Sequence, residues 1–600
     1  MFQVLPSVEL RDNFTTWEKG LKDGIGTALT SKSLVYFTIG NGILTETYYP
    51  SPDTIALHSL RFFINDAIDE STLPYDVSIE NLNAPLYKVR TLFGSIAIEK
   101  EFFADNDSSN LRIHYDFGEP LSGTFKIFPI IDNAKVESRE SEFFIFGKDK
   151  VIAFSFDKKF ESIEYEEYIF VHFKKLKELS IKILFGDIKN FKKTNNKDLQ
   201  DIHSIKKDFV RGWESYLNKF DFNSKSTLYL RSAIMIKSME DKIHKGATVA
   251  SLALPWGSKF PLSENNGYHL VWVRDLFFTS LAMASMGDFA FANSSLEYMF
   301  AYLRRADGSF KQNSTIDGRE RWNATQMDQA AFPIILAYKL GRKDLIEELR
   351  VTADFIVEQG PKTEQERWEE IGGYSAYSMS LEARALELYA LMSNDRKGAH
   401  KYQTKALEFK RLIARKTLAV AGKFGKYYFV RISNGDADAT SKELFLKNSY
   451  FAPSEMVSND FIYTVFTGIY PHFDFRISES LKASDSLLRI DTPRGPSFYR
   501  YNGDVYGFDN PLSPKGRLWV LLTAERGMLE LYRGKLDESK KFLNALEQFA
   551  TKQYILPEQV FENGEPTESS APLAWSHASY MILHDRILRK DIPSLHNPYL

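Results

Sequence analysis

Apolar and polar residues alternate with period two through the first third of the chain. In Leu111-Arg112-Ile113-His114-Tyr115-Asp116-Phe117 every second side chain falls on one apolar face, the mark of a half-buried strand. Ile152, Phe154 and Phe156 repeat it, with Ala153 and Ser155 between. Gly147-Lys148-Asp149 supplies a turn between residues 143–146 and 151–156, which predicts a hairpin. Short strands spaced this way, with Gly, Pro, Asn and Asp between them, predict an antiparallel β-sandwich. Phe37-Thr38-Ile39-Gly40-Asn41-Gly42 and Glu46-Thr47-Tyr48-Tyr49-Pro50 read instead as loops long enough to reach a neighbouring domain's cleft.

The pattern changes after the polar breaker Lys193-Thr194-Asn195-Asn196-Lys197-Asp198, where residues 202–220 predict a helix. The basic residues between 174 and 193 are interrupted by Glu178 and Asp187 and read as a solvated face. From Leu228 onward the period is 3.6. Phe542, Ala545, Leu546 and Phe549 fall at i, i+3, i+4 and i+7 of one helix face. Comparable segments cover 276–286, 289–303, 330–340, 345–357, 381–391, 407–413, 518–531 and 573–588. They predict ten or more helices without the recurring repeat of a solenoid. Helix hairpins in even number close into a toroid, with a ligand site built from loops at one end. The expected layout is a β-sandwich over 1–193, a helical linker over 194–222 and a helical domain over 223–600.

At 600 residues the chain is too long for one core. A formal charge of -3 gives no electrostatic case for nucleic acid or an anionic membrane as partner. The absence of cysteine excludes disulfides, thiolate metal sites and cysteine nucleophiles. No signal peptide is visible at the N-terminus and no run approaches a membrane span, so a cytoplasmic location is expected. Homo-oligomerisation is compatible with the composition.

The candidate chemistry lies in loops of the helical region. Arg367-Trp368-Glu369-Glu370-Ile371-Gly372-Gly373-Tyr374-Ser375 sets two carboxylates between a tryptophan and a Gly-Gly break. Burial against an aromatic favours the proton-donating form of a carboxyl. The indole offers a face for a sugar ring, and the glycines allow a sharp turn and close approach to a ligand. Read alone, the stretch fits a helix ending in a glycine cap at least as well. Its company alters the balance. Tyr268-His269-Leu270-Val271-Trp272-Val273-Arg274-Asp275 offers donors and acceptors suited to sugar hydroxyls, or an ion pair at a helix start. There follow Trp322-Asn323-Ala324-Thr325-Gln326-Met327-Asp328, Arg500-Tyr501-Asn502-Gly503-Asp504-Val505-Tyr506, Leu556-Pro557-Glu558-Gln559-Val560 and Pro572-Leu573-Ala574-Trp575-Ser576-His577-Ala578. Five such blocks in order are hard to assign to packing. Asn434-Gly435-Asp436-Ala437-Asp438 hints at calcium but lacks the rest of an EF-hand loop and reads as a turn.

In this order the blocks resemble glycoside hydrolase family 15 in its prokaryotic form, as does Tyr36-Phe37-Thr38-Ile39-Gly40-Asn41-Gly42-Ile43-Leu44-Thr45-Glu46. The resemblance spans essentially the whole chain and implies a β-sandwich, a helical linker and an (α/α)6 barrel. It implies Glu369 as general acid, Glu370 as a contact on the leaving-group side and Glu558 as general base. Tyr268 would line the nucleophilic water, and Arg274 and Asp275 would bind the terminal sugar. Trp322 would close over the substrate, Arg500 would bind sugar hydroxyls, and Trp575 would wall the pocket. Trp272, Trp368 and Gln559 join the expected substrate-binding set. Departures from the family pattern fall at Asn510-Pro511-Leu512-Ser513-Pro514-Lys515-Gly516-Arg517-Leu518-Trp519 and at His577.

The implied reaction is inverting hydrolysis of an α-glucan or maltooligosaccharide, releasing β-glucose from the non-reducing end without metal or cofactor. Inversion calls for carboxyls about 6.5–9.5 Å apart, against about 5–5.5 Å for retention. The alternatives are trehalose or α-1,6-glucan as substrate, a phosphorylase on the same plan, and a non-catalytic glycan-binding protein. Glu558 in its Pro-Glu-Gln block argues against the phosphorylase. The presence of both carboxylates argues against a protein that only binds.

Overall fold

The computed structural model describes residues 3–4, 19–131, 134–166, 168–189, 191, 199, 201–257, 267–438, 443–447, 449–507, 516–589 and 600. The breaker at 193–198 and the departure at 510–515 lie outside them.

Strands as far as Ile169–Asp187 form one continuous antiparallel sheet that doubles back on itself. Its two long strands, Asn110–Pro129 and Ile169–Asp187, pair along most of their length. The register shifts between Asp116 and Gly123. Before that point Asn110–Pro129 pairs with Ile96–Ala104, and beyond it with Ile55–Ile64. A bulge bends and twists a strand, so one pair of strands serves both layers of the sandwich. The alternating residues Leu111, Ile113, Tyr115 and Phe117 all enter the core between the layers. The hairpin expected at 143–156 is present as Glu142–Phe146 against Lys150–Phe156. The two stretches read as loops are paired strands, Tyr36–Gly40 and Ile43–Tyr48, though they do meet the neighbouring domain.

Helix α1 (Ile202–Leu217) lies against the sandwich. Phe209, Trp213 and Leu217, one face at i, i+4 and i+8, join the sandwich core, and the Trp213 indole donates to Thr27 O at 3.0 Å. The helices that follow are α2 (Thr227–Ser238), α3 (Val273–Met286), α4 (Phe289–Tyr298), α5 (Met327–Leu340), α6 (Ile346–Gln359) and α7 (Ala376–Met392). Then come α8 (Arg396–Thr417), the single turn α9 (Tyr463–Phe466), α10 (Phe475–Leu488), α11 (Val520–Tyr532), α12 (Leu536–Phe549) and α13 (Ala574–Arg589). Helices α3, α5, α7, α9, α11 and α13 are buried nearly all round, as the inner ring of a toroid must be. Gly527 of α11 lets α13 approach, since a Cβ there would lie 2.7 Å from Leu583. Helices α6 and α12 bury one face only, the latter through Phe542, Ala545, Leu546 and Phe549. Helix α2, though in the outer ring, is buried because the sandwich covers it, and Arg231 donates to Leu82 O and Ala84 O.

Three departures from the periodicity have local causes. The segment at 289–303 ends as α-helix at Tyr298 and continues as a π-helical turn, Met299–Leu303. The segment at 407–413 belongs to the 22-residue α8, whose many Lys and Arg residues mask its apolar face. Helices α9 and α10 are too short or too polar to show the period.

Candidate active site

Loops at one end of the inner ring enclose a cavity of about 250 Å³. Eleven of the residues expected from sequence line it: Tyr268, Trp272, Arg274, Asp275, Trp322, Trp368, Glu369, Glu370, Arg500, Glu558 and Trp575. Gln559 does not. Its side chain turns behind the wall and donates to Tyr506 O at 3.3 Å. The remaining lining residues are Ala250, Gly267, Arg367, Tyr506, Trp519 and Leu573. Four of these stand inside a quoted stretch and Gly267 adjoins one; Ala250 alone carried no signal.

Glu369 sits in a turn, not at a helix end. The loop from Thr363 to Gly373 is closed by paired hydrogen bonds between those two residues and by Glu366 N to Ile371 O at 2.9 Å. Glu369 takes φ 59°, a left-handed conformation for a residue with a Cβ, at a cost of roughly 1–2 kcal/mol. The glycines serve the protein backbone and not a ligand. A Cβ on Gly372 would lie 2.3 Å from Glu364 O, and one on Gly373 2.4 Å from Ser433 O.

The side chain of Glu369, 24% exposed, accepts from the Arg274 guanidinium and from Gln326 Nε2 at 3.4 Å. Burial raises its pKa, and Arg274 opposes the rise. Arg274 also donates to Gln326 Oε1 at 3.0 Å and Asp328 Oδ2 at 3.3 Å, between the rings of Trp272 and Trp575. Arg274 and Asp275 do occupy the first turn of α3, as the helix-start reading has it, but the ion pairs of Arg274 run to Asp328 and Glu369. Asp275 is pushed up to about 6 by burial, against the pull of Arg274.

A four-stranded sheet absent from the sequence reading brings the opposite wall together. It orders Arg489–Thr492, Gly495–Phe498, Leu518–Trp519 and Gln559–Val560, with Phe498 opposite Trp519 and Trp519 opposite Gln559. Arg500, Trp519 and Glu558 thereby converge. Glu558, 3% exposed, accepts from Tyr268 Oη at 2.7 Å through Oε1, and Tyr506 Oη lies 2.7 Å from that hydroxyl. Among the described residues its Oε2 and the indole nitrogens of Trp519 and Trp575 have no hydrogen-bond partner. Burial pushes Glu558 up to about 8, and the Tyr268 hydrogen bond offsets part of the rise.

Glu370 is held in its ionised form. Burial would raise it, but Arg431, Arg500 and Lys447 prevail and hold it near 2. Arg431 donates to it at 2.7 Å and Arg500 at 3.3 Å. Arg500 is clamped by Asp504 through two bonds of 2.8 Å. Trp322, 39% exposed, stands at the rim edge-to-face with Trp272, 5.2 Å between ring centroids. His577 is a structural residue. Its Nε2 accepts from Leu556 N at 3.1 Å and burial lowers it to about 3, so it is neutral. Asp438 accepts from Val420 N and Asp436 pairs with Lys416, as a turn requires. Among the described residues no group of three or more His, Asp or Glu could hold a metal ion.

Two carboxyls with separate partners, sharing a cavity walled by indoles and guanidinium groups, define a glycoside hydrolase on a helical toroid. The comparisons assign the family. The model for glycosyl hydrolases family 15 matches residues 223–305 and 302–539, and that for domain N of glucodextranase matches 12–142. A glucoamylase of Clostridium sp. (strain G0005) is 34% identical over 637 aligned positions, which cover 95% of this chain and 90% of the relative. An uncharacterised glycosyl hydrolase of Methanocaldococcus jannaschii is 25% identical over 52% of this chain and 50% of its own. The crystal structure of a bacterial glucoamylase complexed with acarbose superposes with a TM-score of 0.90 at 31% identity, covering 100% of this chain and 99% of that one. The chain belongs to glycosyl hydrolase family 15.

Proposed function

We propose that the protein is an exo-acting, inverting α-glucosidase that releases β-D-glucose from the non-reducing ends of α-1,4-glucans and maltooligosaccharides. The observation that carries this reading is the single cavity holding Glu369 and Glu558 on different partners, in a chain similar to a glucoamylase over nearly its full length. Glu369, its pKa raised by burial, gives its proton to the glycosidic oxygen. Glu558 takes a proton from the attacking water. Oε2, without a partner among the described residues, is the oxygen placed to accept it, and a bond donated there favours the ionised base. Water enters on the face opposite the leaving group, through an oxocarbenium-like transition state, so an α-linkage yields β-glucose. Glu370, ionised between Arg431 and Arg500, borders the leaving-group side, while Arg274, Asp275 and Arg500 offer charged partners to hydroxyls. A cavity of about 250 Å³ has room for the end of a glucan chain.

The match to domain N of glucodextranase favours a second reading, with α-1,6-glucan as substrate for the same acid and base. Proton NMR of early hydrolysis tests both. β-Glucose appearing first from maltotriose, faster than from isomaltotriose or trehalose, is the expected result. Faster release from isomaltotriose would select the second reading, and α-glucose appearing first would mean retention and overturn Glu558 as base.

A further inference from the structure

Tyr268, whose hydroxyl holds Glu558, is followed by His269, which is buried and turned toward the sandwich. Tyr48 ends the strand Ile43–Tyr48 of the sandwich and is itself fully buried. Its hydroxyl lies 3.2 Å from His269 Nε2 and 3.0 Å from Leu252 O, and the two rings meet edge-to-face at 5.2 Å. Burial lowers His269 to about 4, so the imidazole is neutral and fit to share one hydrogen bond with a phenol. The same end of the sandwich grips two further wall segments from outside. Asp53 accepts from Ile316 N at 2.8 Å, and Ser314 beside it bridges Val271 next to Trp272. Leu21 bridges Ala571, two residues before the lining Leu573. Gly20 approaches so closely that a Cβ would lie 2.2 Å from Glu568 O.

We propose that Tyr48 of the β-sandwich is a positioning residue for catalysis. It fixes His269 and thereby the adjacent Tyr268 hydroxyl on Glu558. This rests on the reading of Glu558 as base. Tyr48 touches neither the cavity nor a carboxyl of it. A displacement of the base by a fraction of an ångström lowers turnover while binding of the sugar persists. A slackened Tyr268–Glu558 bond also raises the base, because that bond favours the ionised form.

The test uses the full chain with maltotriose. Tyr36 provides the control, since its hydroxyl also crosses from sandwich to barrel, to Glu240 O at 3.3 Å, away from the cavity. Tyr48→Phe is expected to lower kcat about tenfold with KM within about twofold, and to move the acid limb of kcat/KM to higher pH. Tyr36→Phe is expected to keep wild-type values. In a Tyr268→Phe background Tyr48→Phe should have no further effect, because its route to the base is already cut. If Tyr48→Phe does not fold, His269→Leu cuts the same bond from the barrel side and must give the same signature. Wild-type kcat and pH profile in Tyr48→Phe, an equal loss in Tyr36→Phe, or an equal further loss in the Tyr268→Phe background would each overturn the proposal. An inactive wild-type protein would instead overturn the α-glucosidase reading.

Discussion

Glu558→Gln separates what the base does for catalysis from what it costs the fold. The carboxyl is 3% exposed, and burial carries it from the ordinary 4.5 up to about 8. Below pH 4.5 the group is neutral folded and unfolded, and glutamine resembles it. Between 4.5 and 8 the unfolded chain releases the proton and the folded one keeps it, so the wild type loses stability by ~1.4 kcal/mol per pH unit. The advantage of the variant therefore grows from roughly 1 kcal/mol at pH 5 to roughly 3 kcal/mol at pH 7. For a barrel of this size each kcal/mol moves the midpoint about 1–2 °C, giving about 1–2 °C at pH 5 and about 3–6 °C at pH 7. Calorimetry of both proteins at pH 5, 6 and 7 reads this directly, and other titrations cancel in the difference. The same variant should lose about 10²–10⁴-fold in kcat. A stability difference that stays flat with pH, or shrinks as pH rises, would refute the buried, raised carboxyl on which the argument stands.

Glu369→Gln should lose about 10²–10⁴-fold on maltotriose yet retain most activity on α-glucosyl fluoride, whose leaving group needs no proton; equal losses would remove it from the acid role. Arg274→Met frees Glu369 from the cation that holds it down, so the alkaline limb of kcat/KM should move to higher pH even as kcat falls about 10²-fold; an unmoved limb would contradict the pairing. Glu382 in α7 is 0% exposed, neither carboxyl oxygen has a partner among the described residues, and burial holds it well above the usual range. Glu382→Met should therefore stabilise by about 1–3 kcal/mol at pH 7, the gain shrinking toward pH 4, with kcat unchanged; a lower midpoint at pH 7 would show that the carboxyl is satisfied.

Much of the fold was legible because each region buries its side chains with one period. Leu111 to Phe117 alternate since one layer of the sandwich covers one face of that strand. Phe542 to Phe549 repeat at helical spacing since α12 buries one face of an outer helix. The period fails where burial is not one-sided. The single turn of α9 is buried throughout, and in α8 basic side chains dominate the composition. Strands of two to four residues, such as Leu518–Trp519 and Gln559–Val560, are too short to show any period.

The site was legible as a set of blocks, because catalysis needs unusual residues in loops, but its internal pairing was not. Nothing in the order of residues says that Arg274 reaches Glu369, or that Tyr268 and not Gln559 holds Glu558. Those partners stand 95 and 290 residues apart, and the toroid alone brings them together. Gln559 illustrates the limit. It adjoins the base, yet Glu558 lies just before the strand Gln559–Val560, and the Gln559 amide is taken up by Tyr506 O instead of the cavity. A block therefore names the side chains of a site, and the strand or turn that carries the block decides which of them the substrate meets.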